Sequence, residues 1–441
     1  MDKSVFFERR QRVIGQLAAN SVMIIPAARE VTRSRDTEYP FRQDSYFYYL
    51  TGFNEPDAWL VLSNSDEHEQ HILYCRDKDP QAEIWQGIRL GPEQAEIQLG
   101  IEAADALEQF EEQLSELLNQ KSRLYYVRGV DNEADELIFS CLDMLQQAAR
   151  QGMSAPTQIE DWRPMLDDMR LIKDQHEIAL MQKAADISVL AHQRAMQSSQ
   201  AGKMEYQLEA DILHEFASHG ARYPAYSTIV GSGGNACILH YTNNDSELKN
   251  GDLVLIDAGA EYQGYAADIT RTFPVNGRFT PEQKELYQLV LSAQQAAFEQ
   301  VKPDSTMVNA SEAAVKIITQ GLLDLGILSG ELQDNIEQQS YRDFFMHGIG
   351  HWLGLDVHDV GSYKVNGDNR PLKPGMVLTI EPGIYISQTA EVDAKWRGIG
   401  IRIEDNLLVT DEGHINLTQA APKSIVDIET LMEKRWGEQL A

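Results

Sequence analysis

Short apolar runs alternate with amphipathic stretches in the first third of the chain. Ser21–Pro26 and Ala58–Leu62 read as buried strands, and Ala103–Asn119 carries apolar residues at helical spacing. That alternation predicts an α/β domain over residues 1–172. Its end falls in Ser154–Lys173, where Pro156, Pro164 and mixed charge interrupt the pattern. Asp174 followed three positions later by Glu177 then predicts a capped helix start, so a second domain spans residues 173–441.

In that second domain Asp174–Gln197 and Glu205–Gly220 have helical periodicity. Leu253–Asp257, Val377–Glu381 and Ile399–Ile403 are strand-like and rich in β-branched residues. Helices followed by antiparallel strands indicate an α+β class. Gly251-Asp-Leu-Val-Leu-Ile-Asp-Ala-Gly259 aligns without a gap on Gly375-Met-Val-Leu-Thr-Ile-Glu-Pro-Gly383, matching Gly, Ile, an acid and Gly. A duplicated domain with two pseudo-symmetric halves explains this; two unrelated strand-turn signals are the alternative.

The length of 441 residues favours two domains at roughly 150 or more residues each. A content of 43% hydrophobic and 24% charged residues excludes disordered and collagen-like classes. The 38 basic and 68 acidic residues leave a net charge of −30, which repels nucleic-acid phosphates and anionic membranes. Cys75, Cys141 and Cys237 are widely spaced and contain no C-x-x-C pair, so neither a disulfide framework nor a structural zinc site is expected. With Val22–Ala28 too short to span a bilayer, a cytoplasmic location is expected.

The chemistry concentrates in four acids. Two strand-like runs flank a turn centred between Tyr262 and Gln263, and Asp257 and Asp268 are equidistant from that centre. Symmetric pairing places them opposite each other, with Cβ atoms about 5 Å apart, where like charges repel and a cation is the natural mediator. A register one residue off would instead turn one of them to solvent. Glu381 ends a strand before Pro382-Gly383, and Glu404 shares a strand face with Arg402. For Glu404 alone a structural ion pair with Arg402 is a sufficient account; four such acids together favour a metal site.

Met346-His-Gly-Ile-Gly-His-Trp-Leu-Gly-Leu-Asp-Val-His-Asp359 adds His347, His351 and His358 among glycines that permit close backbone approach. His240 adds a fourth imidazole. Four carboxylates with one imidazole form an oxygen-rich ligand set that suits Mn(II), with Co(II) or Zn(II) as alternatives. Four negative ligands balance two divalent cations, which together acidify a shared water and polarise a carbonyl. His214-Glu-Phe-Ala-Ser-His219 is one residue too long for H-E-x-x-H. Gly231-Ser-Gly-Gly-Asn-Ala236 lacks the acidic residue of a dinucleotide fingerprint.

The order Asp, Asp, His, Glu, Glu around His347-Gly-Ile-Gly-His351 resembles the pita-bread metallopeptidases, the family of methionine aminopeptidase, prolidase, creatinase and aminopeptidase P. Glu38-Tyr-Pro-Phe-Arg-Gln-Asp-Ser-Tyr-Phe-Tyr-Tyr-Leu-Thr-Gly-Phe53 further resembles the aminopeptidase P branch. The resemblance runs over nearly the whole chain. It implies a creatinase-like α/β N-terminal domain, a pita-bread catalytic domain, two divalent metal ions, and often a homotetramer. It implies Asp257, Asp268, His351, Glu381 and Glu404 as ligands. His240, His347 and His358 would bind substrate or stabilise the transition state, Arg402 would support the metal shell, and Glu381 would also move a proton. Asp36 and Tyr385 match secondary site positions, and Trp85 matches a residue that reaches a neighbouring subunit's cleft. The implied activity is removal of an N-terminal residue that precedes proline. Such a bond has no amide N–H and a fixed proline φ, so proteases that grip an extended backbone handle it poorly. Prolidase, restricted to dipeptides, creatinase-type C–N hydrolysis and a non-catalytic binding protein on the same fold are the rival readings.

Overall fold

The first unit, Met1–Asp168, is built on a six-stranded sheet in the order Ala103–Ala106, His71–Cys75, Trp59–Asn64, Ser21–Pro26, Arg123–Tyr125 and Gln158–Glu160. The computed structural model describes residues 2–65 and 70–434. Ser21–Pro26 runs antiparallel to Trp59–Asn64 and parallel to Arg123–Tyr125. Val22, Ile24, Val61 and Leu124 form one apolar face, covered by Phe110 and Leu114 of the helix Leu107–Leu118 and by Ile138 and Leu142 of the helix Asn132–Gln147.

One expected element differs. Ala103–Ala106 is not the first turn of a helix but an edge strand parallel to His71–Cys75; the helix begins at Leu107. The backbone groups of Ile72–Cys75 at the open sheet edge offered those residues partners that helical spacing does not reveal, so tertiary context overrode propensity.

In the second unit, Met169–Ala441, the helix Gln175–Ser198 opens on the expected capping pair: Asp174 accepts from the Glu177 N–H while Glu177 accepts from the Asp174 N–H. The strand Leu253–Asp257 stands as read from the sequence. Val377–Ile380 and Ile399–Arg402 each stop one residue earlier than expected. Leu253, Val254 and Ile256 share one core with Leu378, Ile380 and Ile401.

The two aligned segments open two hairpins of the same plan. Leu253–Asp257 pairs with Thr270–Pro274, and beyond a break the chain pairs again as Glu261 with Ala266 and Tyr262 with Tyr265. Val377–Ile380 likewise pairs with Asp405–Val409, and beyond a break Gly383–Ile386 pairs with Ile399–Arg402. Gly251 (φ +92°) and Gly375 (φ +89°) occupy equivalent left-handed positions before the two leading strands. In both hairpins the acids sit at the break between ladders.

The first hairpin turns one residue later than expected. Gln263 (φ +50°) and Gly264 (φ +86°) form its centre, because a two-residue hairpin turn needs positive φ at both central positions and glycine takes it freely. Asp257 is therefore opposite Thr270 rather than Asp268. The offset is two residues, an even number, so Asp268 keeps the same face. In the second hairpin the continuing register sets Glu381 opposite Glu404.

Among the described residues no helix is long and apolar enough to cross a membrane. Cys75, Cys141 and Cys237 are free thiols.

Candidate metal centre

Where the ladders break, the two hairpins meet. Arg402 donates to Asp257 at 2.6 Å, the Thr270 hydroxyl donates to Glu404 at 2.7 Å, and the Asp268 N–H donates to the Asn406 side chain at 3.0 Å. The glycine–histidine segment is laid along the second hairpin: the Thr379 N–H donates to the His351 carbonyl at 2.9 Å and the Glu381 N–H to the Ile349 carbonyl at 2.8 Å. That approach explains Gly350, where a Cβ would stand 1.9 Å from the Thr379 carbonyl oxygen. Asp257, Asp268, His351, Glu381 and Glu404 consequently face one cavity of about 480 Å³, which His240, His347, His358 and Arg402 also line. Ligand atoms of Asp268, His351 and Glu404 all lie within 4.8 Å of one another.

The electrostatics of this cavity call for cations. Burial works against the Asp257 charge, yet Arg402 and the Tyr226 hydroxyl outweigh it and hold that carboxyl below its ordinary range. The others lack such help. Burial and the Asp257 charge push Asp268 well up, burial and Asp268 push Glu404 well up, and burial and Glu404 bring Glu381 to about 8. Tyr226 lies 2.6 Å from both Asp257 and Asp268. One hydroxyl has only one proton to share between the two carboxylates, so Tyr226 leaves most of their charge uncompensated.

Two atoms show that a metal fits. The buried Glu404 Oε1 has no hydrogen-bond partner among the described residues. His351 Nδ1 lies 2.9 Å from the Trp352 carbonyl, which only accepts, so Nδ1 carries the proton. Nε2 on the other side of the ring then faces Asp268 (3.4 Å) and Glu381 (3.7 Å). A carbonyl fixing one nitrogen while the other faces carboxylates is how a ligating histidine is oriented.

The sequence matches the Metallopeptidase family M24 model over residues 179–411 and the Aminopeptidase P, N-terminal domain model over residues 6–126. The chain belongs to the aminopeptidase P family of M24 metallopeptidases. It is 49% identical over 433 residues to the Xaa-Pro aminopeptidase of Escherichia coli strain K12, covering 98% of each. Proline aminopeptidase P II from Yersinia pestis superposes with a TM-score of 0.96 at 50% identity, covering 98% of this chain and 100% of that one. A zinc-substituted E. coli aminopeptidase P in complex with product gives a TM-score of 0.96 at 49% identity, covering 98% of each chain. The two-domain fold is thus the aminopeptidase P N-terminal domain followed by the pita-bread catalytic domain, and the chain is a metallopeptidase hydrolase.

Within this M24 site Tyr385 stands just behind the cavity. It is buried, donates to His347 Nε2 at 2.7 Å and accepts from Arg402 at 3.1 Å, closing a chain Asp257–Arg402–Tyr385–His347. Burial and Arg402 bring His347 down to about 4, so its ring is neutral. Burial and then His351, whose ring centroid is 4.3 Å away, lower His358. Asp36 is exposed in the turn between Thr32–Ser34 and Thr37–Glu38 of the first unit, and Trp85 is 88% exposed on the helix Pro80–Gln86.

Three contributors escape a sequence reading. Thr270 and Thr379 lie two residues from Asp268 and Glu381 along extended chain, a spacing that puts them on the acids' face and is a usable signal. Tyr226, in Tyr223-Pro-Ala-Tyr226, carries no signal, because only folding brings it to Asp257 and Asp268.

Proposed function

We propose that the enzyme releases the N-terminal residue from peptides with proline at position two. Two divalent cations, Mn(II) by preference and Co(II) or Zn(II) as alternatives, are held by Asp257, Asp268, His351, Glu381 and Glu404. The observation that carries this reading is His351 Nε2 facing Asp268 and Glu381 in a largely buried group of four carboxylates with one guanidinium in contact. Bound metal supplies Lewis-acid polarisation of the scissile carbonyl and acidifies the attacking water.

The protein's own groups do the rest. Arg402 neutralises Asp257 and fixes the Tyr385 hydroxyl. Tyr385 in turn fixes His347, whose neutral ring keeps further positive charge out of the site. Glu381 also moves the proton toward the departing proline nitrogen. His240 and His358, exposed at the cavity, are placed to donate to the substrate carbonyl as charge develops. The family resemblance assigns Asp36 to substrate recognition and Trp85 to a neighbouring subunit of a homo-oligomer, a homotetramer by the same resemblance, while Tyr385, buried behind the cavity, acts through His347 rather than on substrate. The boundary at residues 172 and 173 and a cytoplasmic location complete the proposal; three free thiols support the latter. Neither nucleic acid nor membrane is a partner, in keeping with the net charge of −30.

Hydrolysis of Arg-Pro-Pro beside Ala-Pro, with Mn(II) and with chelator, tests this. Arginine released from the tripeptide only with metal is the expected result. Cleavage of the dipeptide alone makes the enzyme a prolidase, and turnover of creatine with neither peptide cleaved makes it a creatinase-type hydrolase.

A further inference from the structure

Glu205 is fully buried and has no part in the metal site. It opens the helix Glu205–Ser218, whose N-terminus favours a carboxylate. Its Oε1 accepts from the Ser232 N–H (2.7 Å), the Ser232 hydroxyl (2.7 Å) and the Asn235 amide (3.1 Å). Its Oε2 accepts from the Tyr241 hydroxyl and the Ser246 N–H, both at 2.9 Å. The Glu205 N–H also donates to the Ser246 carbonyl at 2.9 Å. One residue therefore ties together both ends and the middle of residues 232–246.

That stretch supplies Leu239, His240 and Thr242 to the cavity wall. Between the short 3-10 helix Gly233–Cys237 and the isolated bridge of Glu247 to Met204 it forms no helix or strand, so side chains hold it: Glu205, and Asn244, which accepts from the Val230 N–H and donates to the Thr228 carbonyl. Tyr241 turns inward against Ile229, Leu255 and Tyr385 and reaches Glu205, while its neighbour His240 is exposed at the cavity.

We infer that Glu205 is a positioning residue that sets where His240 meets the substrate, acting through Tyr241 and the 232–246 segment. This rests on the proposed role of His240. The Ser232 N–H faces one oxygen and the Ser246 N–H the other, and neither can accept, so Glu205→Gln turns one acceptor into a donor facing a donor, at nearly unchanged volume.

The test has two arms. Deuterium exchange on the metal-free protein should show amides of residues 232–246 exchanging at least about ten-fold faster in Glu205→Gln, with Leu253–Asp257 unchanged. This arm does not depend on activity, and unchanged exchange in 232–246 overturns the inference. In the loaded enzyme, kcat on Arg-Pro-Pro should fall about ten- to a hundred-fold with KM and metal content held, the scale of a misplaced catalytic group. Tyr241→Phe, which removes one donor, should fall less. In a His240→Ala background Glu205→Gln should cost under about two-fold. Losses that multiply in the double variant overturn the inference. Wild-type turnover by His240→Ala together with faster loop exchange in Glu205→Gln refutes the role of His240 and upholds the tether.

Discussion

The two hairpins of the catalytic unit share a plan and differ in how their acids are compensated. In the first, Asp257 and Asp268 are offset by two residues, and Asp257 receives Arg402 from the second hairpin. In the second, Glu381 and Glu404 stand opposite each other; Glu404 has only the Thr270 hydroxyl on one oxygen and nothing on the other among the described residues. The protein thus neutralises one acid of four with its own cation. Because a buried carboxylate without a partner is costly, the other three define where external positive charge must go.

The most severe break of this pattern is Asp268→Ala. It removes the acid that faces both His351 and Glu404, and activity should fall by about a thousand-fold or more, with metal content dropping in parallel. Wild-type turnover by that variant refutes the ligand assignment.

Arg402→Leu attacks the first hairpin's own compensation. It leaves Asp257 buried without its guanidinium, so the metal-free protein should lose about 3–5 kcal/mol, read by denaturant unfolding. Activity should fall at the same time, since Tyr385 and His347 lose their tether.

Glu404→Gln separates function from stability. It should abolish metal-dependent activity yet raise the melting temperature of the chelated protein, because an uncompensated carboxylate is gone. The linkage sign follows from Glu381, Glu404 and Asp268, all raised in the folded state. The folded protein then binds more protons than the unfolded chain, so the stability of the metal-free form decreases as pH rises from about 4.5 toward 8. Added Mn(II) should flatten that decline, and an unchanged slope with metal argues against these acids as ligands.

Asp359 gives the opposite sign, without touching the metal site. Burial opposes its charge, but Lys173 at 2.8 Å and Arg170 at 2.6 Å hold it below the ordinary range. Its stabilisation is present above the unfolded pKa and lost as pH falls through the folded one. Asp359→Asn should therefore lower stability at neutral pH and weaken its acid dependence below about pH 4, the ordinary aspartate range.

Strand runs of β-branched residues, the Asp174–Glu177 capping pair and the repeated Gly-x5-acid-x-Gly segment were legible because each depends on neighbours in sequence. Chemical type alone singled out the four candidate acids, since acids interrupting apolar strands need partners; only the family resemblance set His351 apart from the neighbouring histidines. The fate of Ala103–Ala106 was not legible: alanine fits a helix or an edge strand, and the neighbouring strand chose. The same holds for the turn at Gln263–Gly264, where the φ requirement of the turn moved the register by two residues.

By itself, then, the sequence determined the inventory: which acids and histidines exist, on which strands, and with what periodicity. Only the tertiary structure decided their compensation. Arg402 crosses to Asp257, Tyr226 arrives between Asp257 and Asp268, the Trp352 carbonyl orients the His351 ring, and Glu205 ties the segment that carries His240. Hydrogen bonds and charge pairing act over a few ångströms between groups far apart in the chain, and no local pattern of residues encodes that distance.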